Sequence, residues 1–156
     1  MLNLKIHELN TKHYENWLEL YLQYAQYYKV EIPSDKFKLT WKWLNNKDHP
    51  LKGVIAVFNG KYVGFAHFRS MPSPLDSCEI GFLDDLFVTQ KFRGKKIGFN
   101  LIERVKKHAE DKGWPYINWI TKDDNYTARS LYDKIAKKTD WNFYAVSYTH
   151  LRAHET

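Results

Sequence analysis

The sequence contains very little cysteine and no long apolar run. Its 156 residues include a single cysteine, Cys78, so no disulfide can form within the chain. No stretch approaches the roughly 18 to 20 consecutive apolar residues of a transmembrane helix. The first residues, MLNLKIHELNTKH, also lack the apolar core and the small-residue cleavage site of a signal peptide. We therefore predict a cytoplasmic protein without a membrane span, in which Cys78 is a small buried residue.

Metal-ligand patterns are missing as well. With one cysteine available, ligands would have to come from histidines at fixed spacings on a helix or loop. Four histidines form no such pair: His7, His13, His49 and His108. His67 stands alone inside a predicted strand, where a histidine is more often structural than catalytic. We therefore predict no metal cofactor.

The residues that are present are those of a globular domain with a positive charge. Hydrophobic residues make up 44%, aromatic residues 17% and charged residues 27% of the chain, enough apolar material to bury a core without disulfides. The net charge of +6 suits an anionic partner, either a nucleic acid or a phosphorylated cofactor. Charge alone does not choose between them.

Hydrophobic periodicity predicts helices and strands along almost the whole chain. The predicted strands span 2–8, 53–58, 62–68, 78–88, 116–120 and 141–146, and the predicted helices span 11–30, 33–44, 94–113 and 125–136. Thr11 is the expected cap of the first helix, Asn59-Gly60 predicts a type I′ hairpin turn, and 70–77 is expected to be a loop. This order predicts a single α+β domain over 1–147, with a mostly antiparallel central sheet flanked by helices.

The last residues, 148–156, have no strong hydrophobic period. They look like translated adapter sequence, and we predict a non-native tail there. The alternative is a frayed native terminus.

The most informative segment runs from Asp84 to Gly98, where a strand turns through a basic, glycine-bearing loop into a helix. Free N–H groups and the dipole at a helix N-terminus bind phosphate, and nearby basic side chains add charge. The segment contains neither G-x-x-x-x-G-K-[ST] nor G-x-G-x-x-G in a strand-to-helix context. A pyrophosphate site is therefore predicted, but not one of a nucleotide triphosphatase or a dinucleotide-binding domain.

This segment resembles the acetyl-CoA signature of the GNAT N-acetyltransferase superfamily, where a strand of the type L-E-D-L-F-V leads into R-G-x-G-I-G. Here the second part reads Arg93-Gly94-Lys95-Lys96-Ile97-Gly98. The resemblance continues through Asp124-Asn125, Ala128 and Leu131-Tyr132-Asp133-Lys134, and the order of elements fits over roughly residues 2–146. It implies a GNAT-like fold, acetyl-CoA as co-substrate and acetyl transfer to a primary amine.

Three positions depart from the family pattern. Asp84 stands where relatives usually carry glutamate, Lys91 where glutamine or arginine is usual, and Lys96 where glycine or alanine is usual. A side chain at Lys96 can obstruct the close main-chain approach that glycine permits. Cofactor affinity, rather than cofactor identity, is therefore the quantity in question.

The resemblance implies which residues bind acetyl-CoA. Most do so through the main chain of the strand, where Leu86 polarises the acetyl carbonyl, or through the loop that follows it. The expected set is Leu86, Phe87, Val88, Arg93, Gly94, Lys95, Lys96, Ile97, Gly98 and Asn125.

Two residues are candidates for catalysis. Strand alternation puts Asp84 on the face of Leu86 and Val88, against the acetyl group that the resemblance implies, and turns Asp85 away. A protonated amine, with a pKa of about 10.4 for lysine, needs a base before it can attack, and Asp84 can act directly or through water. The alternative is that Asp84 only binds a cationic substrate or caps a loop. The resemblance makes Tyr132 the acid that protonates the CoA thiolate, against the alternative of a core tyrosine.

The leading hypothesis is an N-acetyltransferase that acts in a ternary complex on a small amine, a polyamine or an amino acid. The competing hypotheses are a non-catalytic acyl-CoA sensor and a basic nucleic-acid-binding module. Against nucleic acid, most aromatic residues follow core periodicity rather than lining one exposed face. No membrane partner is predicted, and a homodimer remains open.

Overall fold

A computed structural model of the protein describes residues 3–147. These residues divide into two compact units, with the division after residue 120. The first contains a five-stranded sheet in the order β1-β2-β3-β4-β5, in which only the β4–β5 pair is parallel. The predicted α+β class with a mostly antiparallel sheet is confirmed.

The strands are β1 (Leu4–Glu8), β2 (Leu51–Phe58), β3 (Lys61–Ser73), β4 (Cys78–Val88) and β5 (Ile117–Asn118). β2 and β3 form the predicted hairpin, whose turn residues Asn59 and Gly60 have φ of 50° and 79°, as a type I′ turn requires. The predicted loop over 70–77 is wrong in its first half, because β3 stays paired with β4 as far as Ser73. Pro72 is tolerated there because β2 begins at Leu51, opposite Arg69, so β3 beyond Arg69 has no neighbouring strand on that side among residues 3–147.

The helices of the first unit are α1 (Tyr14–Tyr27), α2 (Ser34–Leu44) and α3 (Ile97–Lys112). The predicted cap is wrong by one residue. Asn10 accepts the Lys12 N–H and forms a capping box with His13 before a short 3-10 helix, and α1 follows it. Thr11 lies inside that 3-10 turn.

The sheet buries both faces against helices. Phe65 of β3 lies on the face of α1 and packs edge-on against Tyr21, in a core cluster that includes Trp17. Phe68, of opposite parity, meets the ring of His108 on α3. Alternation along β3 therefore sorts side chains between an α1 face and an α3 face.

The second unit contains α4 (Tyr126–Ile135), where a helix over 125–136 was predicted. The strand predicted over 141–146 is wrong: residues 137–147 have no helix or strand, and Trp141 and Tyr144 are 83% and 87% exposed. Strand propensity alone does not order a segment whose main chain lacks a paired neighbour.

Cys78, expected to be buried, is exposed at the start of β4. The tail predicted over 148–156 lies outside the described residues. Within residues 3–147, no helix is both long and apolar enough to cross a bilayer.

Candidate active site

The edge of β4 is open over its second half. The short β5 pairs with β4 only at Gly81 and Phe82, so Leu83 to Val88 have a strand partner on the β3 side alone among residues 3–147. Main-chain groups on an unpaired edge bind an extended amide-containing chain as an added strand would. This part of β4 therefore suits the arm of a cofactor that carries amide groups.

A β-bulge lies at the two carboxylates of this strand. His67 stands opposite Asp85 and Phe68 opposite Leu83, which leaves Asp84 without a ladder partner on β3. The prediction that simple alternation puts Asp84 on the face of Leu86 is therefore wrong, because an extra residue breaks the period of two. Bulges of this kind redirect side chains at sheet edges and next to active sites.

Asp84 is held by an arginine. The Arg69 Nε–H points at both carboxylate oxygens of Asp84, 3.2 Å from Oδ1 and 3.0 Å from Oδ2. The side chains are partly accessible, 26% for Asp84 and 39% for Arg69. Burial raises the pKa of Asp84 above its ordinary value, although the Arg69 hydrogen bond and charge oppose that rise. A carboxylate with a raised pKa is a better proton acceptor than an exposed one.

Asp85 belongs to a separate, partly buried network. Its Oδ1 accepts the Tyr24 O–H at 2.7 Å, and its Oδ2 lies 2.8 Å from Nδ1 of His67. The Trp17 indole N–H donates to Nε2 of His67 at 2.9 Å. An indole N–H can only donate, so Nε2 must be the unprotonated nitrogen and Nδ1–H must donate to Asp85. His67 is therefore held in one orientation by its contacts with Trp17 and Asp85.

The two neighbouring carboxylates consequently differ in proton affinity. Burial raises the pKa of Asp85, but the hydrogen bonds from His67 and Tyr24 outweigh it and bring the pKa below the ordinary value. Asp84 shifts in the opposite direction. Pairs of acids whose environments push their pKa values apart are typical of sites that need one proton acceptor and one permanent charge.

The loop between β4 and α3 has the shape of an anion site. α3 makes its first main-chain hydrogen bond from Asn100 N to Lys96 O, at 3.0 Å. The N–H groups of Ile97, Gly98 and Phe99 precede that bond and lie at the positive end of the helix dipole. Gly94 has φ of 79°, and a Cβ placed on it would meet no atom within 4 Å. The predicted loop residues therefore leave room and donors for a phosphate group.

Arg93 of this loop contacts residues of α1 and β4. Its Nε donates to the Val88 carbonyl at 3.0 Å, and its guanidinium lies 5.5 Å from the ring centroid of Tyr27 and 5.8 Å from that of Phe87. These contacts tie the loop to α1 and to the end of β4. Phe87 is itself buried in the core cluster, so any contact it makes with a cofactor uses its main chain.

Lys96 has an unusual backbone conformation. Its φ of 63° and ψ of 19° are left-handed, at the position where the family pattern has glycine or alanine. The left-handed conformation destabilises a residue that has a Cβ atom by about 1–2 kcal/mol, whereas glycine adopts it without this cost. The sequence-level concern about Lys96 therefore has a backbone cause as well as a side-chain one.

We predict that Lys96→Gly raises the free energy of unfolding by about 0.5–1 kcal/mol, since part of the relieved strain is offset by the entropy of an unfolded glycine. Urea unfolding would measure it. Lys95→Gly is the matched control, because Lys95 loses the same charge in the same loop without a positive φ. Equal effects of the two substitutions would show that Lys96 is unstrained.

Two predicted site residues lie in the second unit. Asn125 stands at the N-cap position of α4, where its side-chain Nδ2 donates to Thr121 Oγ1 at 3.1 Å rather than capping the helix. Tyr132 lies within α4, half-buried, seven residues further on. That spacing is about two helical turns.

Comparison with known proteins decides the family. Residues 14–136 match the Acetyltransferase (GNAT) family. The chain belongs to the GNAT family. It is 31% identical over 134 residues to the D-amino-acid N-acetyltransferase HPA3 of Saccharomyces cerevisiae, spanning 85% of this chain and 83% of that relative. It is 28% identical over 124 residues to the uncharacterized N-acetyltransferase YhfO of Bacillus subtilis, spanning 80% and 83% of the two chains.

Solved structures agree with this assignment. A ribosomal-protein-alanine N-acetyltransferase from Brucella melitensis superposes with a TM-score of 0.78 at 25% identity, over 93% of this chain and 99% of that one. The aminoglycoside N-acetyltransferase AAC(6')-Iy, in complex with CoA, has the same fold with a TM-score of 0.83 at 21% identity, over 95% and 97%. This GNAT protein is an acetyl-CoA-dependent N-acetyltransferase.

Sequence reasoning missed two features of this GNAT site. The predicted strand ended at Phe68, before Arg69, and Asp85 was turned away from the site, because neither the length of β3 nor the bulge has a local signal. The run Asp84-Asp85 in an otherwise apolar strand was the available clue, since two partly buried carboxylates require separate partners.

Proposed function

We propose that this enzyme transfers an acetyl group from acetyl-CoA to the primary amine of a small molecule, in a ternary complex and without a covalent enzyme intermediate. Free amino acids are our first candidate acceptors, ahead of polyamines and other small amines, because the yeast relative is named for that activity. The observation that carries the proposal is Asp84, a bulged, partly buried carboxylate with a raised pKa beside an open strand edge.

In this proposal Asp84 prepares the acceptor for attack. The acceptor arrives as an ammonium ion, and Asp84 takes its proton directly or through one water molecule. Asp85 remains ionised, because two donors satisfy it, and its negative charge favours binding of the cationic amine. The different roles of the two residues, Asp84 as base and Asp85 as fixed negative charge, follow from the opposite shifts of their pKa values.

Acetyl-CoA supplies the activated thioester. Its arm would lie along the open edge of β4, with main-chain groups of Leu86 to Val88 binding the amides and Leu86 N–H donating to the acetyl carbonyl. The pyrophosphate would lie on the loop Arg93 to Gly98, and Asn125 would bond the arm. Tyr132 would donate its phenolic proton to the departing thiolate, whose conjugate thiol has a pKa of about 8.5.

Thiol release from acetyl-CoA across a panel of amines tests the proposal. The panel contains D- and L-amino acids, diamines, polyamines, simple alkylamines and a peptide with a free N-terminus. We expect release that depends on a small primary amine. Tight acetyl-CoA binding without release in the presence of any of them would instead identify a non-catalytic acyl-CoA-binding protein.

The loop assignment predicts a charge effect at Gly94. We expect Gly94→Asp to weaken acetyl-CoA binding by about 10-fold relative to Gly94→Asn, because a carboxylate there repels the pyrophosphate. Asparagine is the matched control, since both residues tolerate a positive φ comparably. Calorimetric titration of acetyl-CoA gives the two dissociation constants. Equal affinities of the two variants would contradict a pyrophosphate at this loop.

A further inference from the structure

Arg69 forms polar contacts within the protein through only part of its guanidinium group. Its Nε–H bonds Asp84, and its guanidinium lies over the ring of Phe82, 5.0 Å from the centroid. Within residues 3–147, the polar contacts of Arg69 all use Nε, which leaves the edge formed by Nη1 and Nη2 available. Stacking on Phe82 holds the guanidinium plane, so this edge has a defined direction.

A fixed guanidinium edge of this kind recognises a planar anion. Two parallel N–H donors match the two oxygens of a carboxylate, which a lysine ammonium does not do. Arg69 also lies beside Asp84, where the acceptor amine must come if Asp84 removes its proton. The acceptor site therefore offers a negative and a positive group in direct contact.

That arrangement is complementary to an α-amino acid. In such a molecule one carbon separates the ammonium nitrogen from the carboxylate carbon, so the two charged groups are about 2.5 Å apart. On the protein, Nε of Arg69 and Oδ2 of Asp84 are 3.0 Å apart. A zwitterion with adjacent charges can thus meet both partners at once, whereas a plain alkylamine leaves the guanidinium edge without an anion.

We infer that Arg69 is the specificity-determining residue for the acceptor: its free guanidinium edge binds the carboxylate of an α-amino acid whose amino group lies against Asp84. This inference rests on the proposed function and narrows its substrate class to free α-amino acids. It also couples binding to chemistry. An acceptor carboxylate offsets part of the Arg69 charge felt by Asp84, so the pKa of Asp84 rises and it becomes a stronger base.

Matched acceptor sets test this inference. Each set contains an α-amino acid, its amide and the corresponding decarboxylated amine; alanine, methionine and phenylalanine, each as both enantiomers, provide the sets. We expect wild-type kcat/KM to be highest for the acids. In Arg69→Gln, the ratio of kcat/KM for acid over amine should fall by about 10- to 100-fold, the loss expected for a charge-assisted, bidentate contact. Arg69→Lys should give an intermediate ratio.

The ratio separates recognition from other effects of the substitution. A change in the folded fraction, or in the pKa of Asp84 in the free enzyme, alters kcat/KM for acid and amine alike and cancels in the ratio. Arg104→Gln is the control, because Arg104 of α3 pairs with Glu8 away from β4, and its ratio should equal that of wild type.

Three results would overturn the inference. These are an unchanged ratio in Arg69→Gln, a wild-type enzyme that acetylates the amines but none of the acids, or no thiol release with any acceptor. The first two leave acetyl transfer to primary amines intact, whereas the third also removes the proposed function.

Discussion

Tyr132→Phe should reduce turnover by roughly 10- to 10⁴-fold while acetyl-CoA affinity changes little. The substitution keeps the aromatic ring of a half-buried residue of α4 and removes only the phenolic oxygen. If the phenol protonates the departing thiolate, the loss falls on the chemical step rather than on binding. Steady-state kinetics at saturating acetyl-CoA, corrected for the folded fraction, measure it.

The competing interpretation of Tyr132 makes a different prediction. A tyrosine that only packs in the second unit would cost stability when its hydroxyl is removed, about 1 kcal/mol for a typical hydrogen bond, and turnover per folded molecule would be preserved. Tyr126→Phe, an exposed tyrosine at the start of the same helix, controls for the loss of a hydroxyl as such. An unreduced rate in Tyr132→Phe would mean that water or another group supplies the proton.

Local signals in the sequence predicted most of the fold. The hairpin, β4 and the helices α2 and α4 were found within a few residues because each has a turn residue, a cap or a clear period. The two errors in strand assignment share one cause. The length of β3 depends on pairing with β4, and the strand predicted over 141–146 is not formed, so both errors concern long-range pairing that a local pattern does not contain.

The candidate site, too, could be predicted where the signal is local and could not be predicted where it depends on long-range pairing. The phosphate loop was predictable, since a basic, glycine-bearing segment before an apolar helix has a mechanism that needs no tertiary contact. The roles of Asp84 and Asp85 were not, because a bulge of one residue changes what alternation implies. Their partners, Arg69, His67 and Tyr24, come from β3 and α1, and only the folded chain brings them together.

The conformation of Lys96 shows how family pattern and structure combine. The pattern flagged a lysine where glycine or alanine is usual, and the left-handed φ supplies a physical reason why glycine suits that position. The strain is tolerated beside a predicted phosphate site, where strained backbone is common.

Asp84→Asn should lower kcat by roughly 10²- to 10⁴-fold, the contribution usual for a general base. The amide keeps the shape and still accepts a hydrogen bond from Arg69, but it cannot take a proton. The substitution should not lower the stability of the folded protein. Because burial raises the pKa of Asp84 in the folded state, its ionised form is disfavoured there, and a neutral side chain should be at least as stable at pH 7. Reduced activity with an unchanged melting temperature would thus indicate lost chemistry.

The pH profile gives the second test of Asp84. The base works only when ionised, so wild-type activity should fall as pH drops through its pKa, and burial places that acid limb above the range of an ordinary aspartate. Arg69→Gln removes the cation that opposes the shift, so its acid limb should move to higher pH. Asp84→Glu, which restores the residue usual in the family, should keep most of the rate and still lose activity as the pH falls. In Asp84→Asn this fall in activity at low pH should be absent. A profile identical in wild type and Asp84→Asn would assign the titration, and the base, to another group.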